Sequence, residues 1–154
     1  MNAVVSHENE LLLNTVQCFL KDEIYPHEDA VDRSGEVPLE LGRQIEARAK
    51  EVGLFAANLP EAVGGGGLNY TSSSIVEREY GKTTHALQSW IARPTELLLA
   101  CEGDQVARYL DPCVTGEKRE LFALTEPEAG SDVMGMKTNA KRDGRDWILN
   151  GSKH

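Results

Sequence analysis

In "HENELLLNTVQCFLKDEIYP" (7–26) the apolar residues Leu12, Val16, Phe19, Leu20 and Ile24 recur at three- and four-residue steps, one stripe of a helix. Pro26 falls just past that stripe, where it can stop the helix, and "AVDRSGEVP" (30–38) reads as a turn-rich connector. The spacing of Leu41, Ile45, Ala49 and Val52 in "PLELGRQIEARAKEVG" (38–53) predicts a second helix, with Pro38 in its first turn and Gly53 capping its end. A loop with four consecutive glycines follows, then a third helix over "TSSSIVEREYGKTT" (71–84), whose Ser/Thr cluster can cap its start. "LQSWIARPTELLLACEG" (87–103) is mostly apolar with Pro94 inside it, which predicts a kinked or interrupted buried helix. "DQVARYL" (104–110) predicts one more short helix, ending before Pro112.

The period changes near residue 120. "LFAL" (121–124) reads as a buried strand, and "MKTNAKRDGRDWILNGSKH" (136–154) as a hairpin turning at "RDGRD". "NG" at 150–151 is a second hairpin signal, after which another strand is expected. The pattern divides the chain into a helical domain, 1–120, and the beginning of a β-domain, 121–154. Two or three strands need more strands or a covering layer, so the chain is expected to be a fragment of a longer protein.

Composition narrows the function. A chain of 154 residues with 40% hydrophobic and 27% charged residues is globular, and its net charge of −9 argues against non-specific binding to nucleic acid or anionic lipid. Three scattered cysteines at no metal-ligand spacing suit a reducing compartment. No stretch approaches the roughly 18 apolar residues of a membrane span, and no secretory or mitochondrial signal is evident. A cytoplasmic protein without membrane, nucleic-acid or metal partners is expected.

Five features invite chemistry. The glycine run 64–67 lacks the spacing and the strand-to-helix context of a dinucleotide fingerprint, so a flexible inter-helix loop is the better reading. The four histidines, His7, His27, His85 and His154, have no i, i+4 partner that would ligate a metal. Glu126 and Glu128 are a tempting acid/base pair, but a polar turn gives them a solvated or turn-stabilising role. Gln88, Trp90 and Arg93 interrupt the apolar stretch and either face solvent, with Trp90 in the core, or line a ligand cavity between helices. The most informative run is "LTEPEAGSD" (124–132), where a strand hands over to a turn whose amides, with the Thr125 and Ser131 hydroxyls, suit an anion or a ring edge. A tight surface loop is the competing reading.

"FALTEPEAGSDVMGMKTNAKRDGRDWILNGSKH" (122–154) resembles the signature region of the acyl-CoA dehydrogenase family, whose pattern runs T-E-P-x-A-G-S-D, a K-T segment, a hairpin and N-G-x-K. "GLFAANLPEAVGGGGL" (53–68) is similar to the family's P-E-x-x-G-G-x-G-L stretch, with Val63 where an aromatic is common. The resemblance implies a mainly α fold: the family's N-terminal helical domain followed by the first strands of its middle β-domain. It also implies FAD as cofactor, an acyl-CoA substrate, an electron-transferring flavoprotein or similar acceptor, and a homo-oligomer at full length. The family's reaction is α,β-oxidation of the thioester to a trans-2-enoyl-CoA, with hydride passing to N5 of FAD.

By the same resemblance Phe122, Leu124 and Thr125 lie beside the isoalloxazine, and Gly130 and Ser131 approach the FAD pyrophosphate and the CoA chain. Gln88 to Arg93 match the helix lining the acyl cavity, where Gln88 and Arg93 as substrate contacts suggest a short, polar or cyclic acyl group. No residue here matches the catalytic glutamate, so the isolated chain is expected to be inactive and to hold flavin weakly at best. An acyl-CoA oxidase, a flavin monooxygenase, or a non-catalytic subunit or interaction module are the alternatives.

Overall fold

The computed structural model describes residues 6–154. They divide into two compact units, one ending at Glu120 and the other spanning Leu121–His154.

The first unit is helical. α1 (His7–Phe19), a π turn (Leu20–Ile24) and α2 (Tyr25–Ser34) run on without a break, so Pro26 does not stop the helix and the connector begins only at Gly35. In the π turn the Tyr25 amide donates to the Leu20 carbonyl, one residue further back than in an α-helix. That wider turn leaves room for the pyrrolidine ring and removes the need for its missing N–H. The same device recurs at Pro112, before which the sequence predicts a helix end. A π turn over Val106–Leu110 ends with the Asp111 amide on the Val106 carbonyl, and the helix runs through the proline as Asp111–Thr115.

α3 (Leu39–Glu51) follows its expected stripe, with Ile45 and Ala49 buried and Gly53 left-handed after its end. α4 (Tyr70–Tyr80) is capped by the Asn69 side chain, which accepts from the Ser72 amide, and not by the Ser/Thr cluster. The apolar core joins Val16, Leu20 and Ile24 to Ile45, Leu59, Tyr80, Leu87 and Ile91, all essentially inaccessible. Between α1 and α4 lies a polar tie. Glu79, 2% exposed, accepts from Gln17 and pairs with Lys82 and Arg78, and the Ser72 hydroxyl donates to Asn9. The Lys82 bond, first among these, holds the Glu79 carboxyl below the usual carboxylate range.

The stretch 87–103 is interrupted, as one of the two readings expected, but it is not buried throughout. It breaks into one turn of α5 (His85–Gln88), an irregular segment, and a 3-10 turn (Glu96–Ala100) that leaves Leu97 and Leu99 exposed. Its carbonyls are committed elsewhere: Ala92 O accepts from the Ala56 amide and Pro94 O from Asn58 Nδ2. The glycine run joins α3 to α4 as expected, but it is tied down rather than flexible. The Gly65, Gly66 and Gly67 amides donate to Pro60, Ala56 and Leu59 carbonyls at 2.8–3.2 Å, so none is free for a phosphate. Trp90 packs on α3 where a Cβ at Gly42 would overlap its ring, and Arg119 stacks on the ring 3.9 Å from its centroid.

The second unit holds one antiparallel hairpin, β1 (Asn139–Asp143) and β2 (Asp146–Asn150), in register from Asn139 opposite Asn150 to Asp143 opposite Asp146. Gly144, at φ 60°, supplies the left-handed residue its tight turn needs. "LFAL" is not a buried strand: Leu121 and Phe122 are exposed and 121–124 joins no ladder. An extended segment counts as a strand only when a neighbour takes its backbone groups, and among the described residues nothing pairs with 121–123.

A Cβ at Gly65 would strike the backbone carbonyl of Leu59, which has no rotamer with which to yield. Gly65→Ala is expected to destabilise the helical unit by about 2–3 kcal/mol, as overpacking against a fixed wall does. Urea unfolding followed by far-UV circular dichroism checks it, with Gly53→Ala, where a Cβ meets open space, as the milder comparison.

Candidate functional site

The candidate site is the loop that runs from Leu124 into the 3-10 turn Val133–Gly135. Glu126 and Ala129 exchange both backbone hydrogen bonds, at 3.0 and 3.2 Å, and so pinch Pro127 and Glu128 into a closed turn. The Glu126 side chain then folds beneath the loop and is only 6% exposed. Its Oε2 accepts from the Lys137 amide at 2.7 Å, and its Oε1 from the Thr138 amide at 3.1 Å and the Lys153 ammonium at 2.9 Å. Thr138 beside it, then the Lys137 amide and Lys153, hold its carboxyl at about 2, against 4.5 ordinarily. The Thr138 hydroxyl contributes by proximity, since its buried oxygen has no partner at hydrogen-bonding geometry.

Lys153 does more than neutralise this charge. Its ammonium also donates to the Leu124 carbonyl at 2.9 Å and lies 3.2 Å from the Met136 sulfur, so one cation touches both edges of the loop. The His154 amide donates to the Thr125 carbonyl at 2.9 Å. Glu128 is exposed and paired with Lys137. Neither glutamate is therefore placed as a free base: one is consumed by backbone amides, the other by a surface lysine.

What the loop leaves open is at its tip. Among the described residues no acceptor meets the Gly130 or Ser131 amide, and the Thr125 and Ser131 hydroxyls have no partner. Gly130 is exposed, and a Cβ built on it would meet nothing, so its backbone can be approached closely. Just upstream, Phe122 presents its ring at 67% exposure and Leu124 is partly exposed. Phe122, Leu124, Thr125, Gly130 and Ser131 thus lie within one short accessible segment. Sequence reasoning assigned Glu126 a turn-stabilising role but missed Lys153 and the Lys137–Thr138 amides that complete it. The signal available was the presence together of T-E-P, K-T and N-G-x-K in the family pattern that 122–154 resembles.

Gln88 and Arg93 belong to the helical unit, and the structure brings them together. Gln88 is buried; its Nε2 donates to the Tyr80 and Thr83 carbonyls, and its Oε1 accepts from Arg93 Nη2 at 3.2 Å. Arg93 also pairs with Glu77 at 3.0 Å and lies over the Tyr80 ring. The two line a cleft of about 360 Å³ whose wall includes His85, Ile91, Pro94 and Cys113. Trp90 stands apart, half-buried between Gly42 and Arg119. Among the described residues, no group of three His, Cys, Asp or Glu could hold a metal, and no helix is long and apolar enough to cross a membrane.

Comparison with known proteins agrees with the fold. The acyl-CoA dehydrogenase N-terminal domain matches residues 6–117 and the acyl-CoA dehydrogenase middle domain residues 121–154. The long-chain specific acyl-CoA dehydrogenase of pig (Sus scrofa) mitochondria is 36% identical over 97% of this chain, which spans 35% of that enzyme's length. The caffeyl-CoA reductase–Etf complex subunit CarC of Acetobacterium woodii is 34% identical over 96% of this chain and 40% of its own. Among solved structures, a glutaryl-CoA dehydrogenase from Mycobacterium smegmatis in complex with FADH2 superposes with a TM-score of 0.79 at 26% identity, covering 96% of this chain and 38% of that one. The chain belongs to the acyl-CoA dehydrogenase family and carries its N-terminal helical domain and the start of its middle domain.

Proposed function

We propose that this chain is the N-terminal part of an FAD-dependent acyl-CoA dehydrogenase that oxidises the α,β bond of an acyl-CoA thioester to a trans-2-enoyl-CoA. The observation that carries this reading is the tip of the 124–132 loop: among the described residues, two amides and the Ser131 hydroxyl without partners, with open space over Gly130. Such a tip suits a pyrophosphate oxygen, because backbone amides hold anions without a side chain in the way. Phe122, Leu124 and Thr125 supply an apolar face and a hydroxyl beside it, which fits the edge and ring of a flavin. FAD, when bound, supplies the acceptor for the hydride leaving the β-carbon. This chain's own residues bind and orient; none of them is assigned as the base that takes the α-proton.

Gln88 and Arg93 are proposed substrate contacts. Their cleft includes polar His85, Ser89 and Glu120 in its walls, and the guanidinium is held by Glu77 and Gln88, which favours a short, polar or cyclic acyl group. The electron acceptor proposed is an electron-transferring flavoprotein, in keeping with the Etf named in the CarC complex. That relative is named a reductase, so the same site in this protein can also be read as working in the direction of enoyl reduction. The free cysteines support a reducing compartment, and we assign the cytoplasm. A homo-oligomer is proposed for the protein at full length.

The intact protein carrying this sequence is expected to bind FAD, and added acyl-CoA is expected to bleach its flavin absorbance. Ser131→Ala should weaken FAD or CoA binding about tenfold, the worth of one hydrogen bond to a charged oxygen. Failure to bind FAD overturns the reading. A panel of acyl-CoA substrates is expected to show higher kcat/KM for short, polar or cyclic acyl groups. Preference for long straight chains overturns the role given to Gln88 and Arg93.

A further inference from the structure

We propose that Glu126 is the positioning residue of the cofactor loop, holding its two ends together so that the Gly130 and Ser131 amides stay free for the ligand. The inference rests on the flavin reading above and adds a residue outside the binding tip.

The geometry leads to it. The loop departs from the chain at Leu124–Glu126 and returns at Met136–Thr138, and the Glu126 carboxylate spans that gap by accepting from both returning amides. Lys153 closes the same gap from a third direction, reaching the Leu124 carbonyl on one edge and the Met136 sulfur on the other while pairing with Glu126. Three donors thus converge on two carboxylate oxygens within a nearly sealed space. No neutral side chain satisfies that arrangement, because a glutamine would turn two of its own donors toward donors. The remaining charges nearby are already committed. The Lys137 ammonium is paired with Glu128 outside the clamp, and the Asp132 carboxylate lies against the space beside Gly135. With the Lys137 and Thr138 amides taken up below, the Gly130 and Ser131 amides at the tip are among the loop donors left without an acceptor in the described residues.

The charge state follows the geometry. The Glu126 carboxyl is held at about 2 in the folded loop, against 4.5 ordinarily. A depressed value contributes stability that is fully present above the ordinary value and is lost as pH falls through the folded one. The clamp should therefore be unchanged from neutral pH down to about pH 5 and loosen below it.

Amide hydrogen exchange and FAD titration on the intact protein test this. Glu126→Gln is expected to speed exchange at Lys137 and Thr138 and to weaken FAD binding at least tenfold at neutral pH, while α1 and α4 keep their protection. The acid-dependent step seen in the wild type should be absent from this variant. Lys153→Met, which keeps the carboxylate, is expected to give a smaller loss and to serve should Glu126→Gln not fold. The double variant should be no worse than Glu126→Gln alone, since both act through one clamp. Glu126→Gln binding FAD as the wild type does overturns the proposal, and so does faster exchange spread equally through α1 and α4. A wild-type protein that takes up no FAD overturns the flavin reading itself, and the positioning role with it.

Discussion

Backbone donors and acceptors withdrawn from water must find partners, and much of this structure follows from how they do so. At the two prolines the partner lies one residue further back, in a π turn, and a helix continues where it would otherwise have ended. In the glycine run the partners are the carbonyls of the preceding loop, reached only because no side chain stands between the two backbones. In the second unit the partner of two adjacent amides is a side chain, Glu126. At Gly130 and Ser131, where the described residues supply no acceptor, the proposed ligand would meet that demand.

The stripes that specify the core were legible in the sequence because burial on one helix face leaves a period. Val16, Leu20, Ile24, Ile45 and Ala49 are all buried where their spacing says. The hairpin was legible for a different reason, since a turn at Gly144 needs a backbone conformation few residues adopt. The prolines misled because the rule that they end helices describes the α-helical ladder, and a single wider turn escapes it. The apolar stretch around Pro94 misled because hydrophobicity without clear period does not separate a helix from a packed irregular segment. In the second unit, "LFAL" has the composition of a strand, but strand formation requires a neighbour that composition does not reveal.

The two buried carboxylates illustrate the same limit at the level of chemistry. Glu79 and Glu126 look alike in a sequence, as acidic residues beside polar ones. In the structure one ties two helices through lysine, arginine and glutamine side chains, and the other organises a loop through backbone amides. Arg78 and Lys82 flank Glu79 in the chain, whereas Gln17 and all of the partners of the Glu126 carboxylate lie on distant segments that spacing does not reveal. The loop was readable in the sequence as a polar turn; the hydrogen bonds of Glu126 beneath it were not.

The contact between Gly42 and Trp90 carries a consequence for how this domain can diverge. Two positions distant in sequence share one fixed volume, with the indole filling the space that a side chain on α3 would take. Neither can change size alone without cost, and Arg119 stacked on the ring restricts its retreat. Positions 42 and 90 therefore form a single unit of substitution: a side chain can be gained on the helix only as the ring is given up, and a lineage that makes one change first must pass through a less stable intermediate.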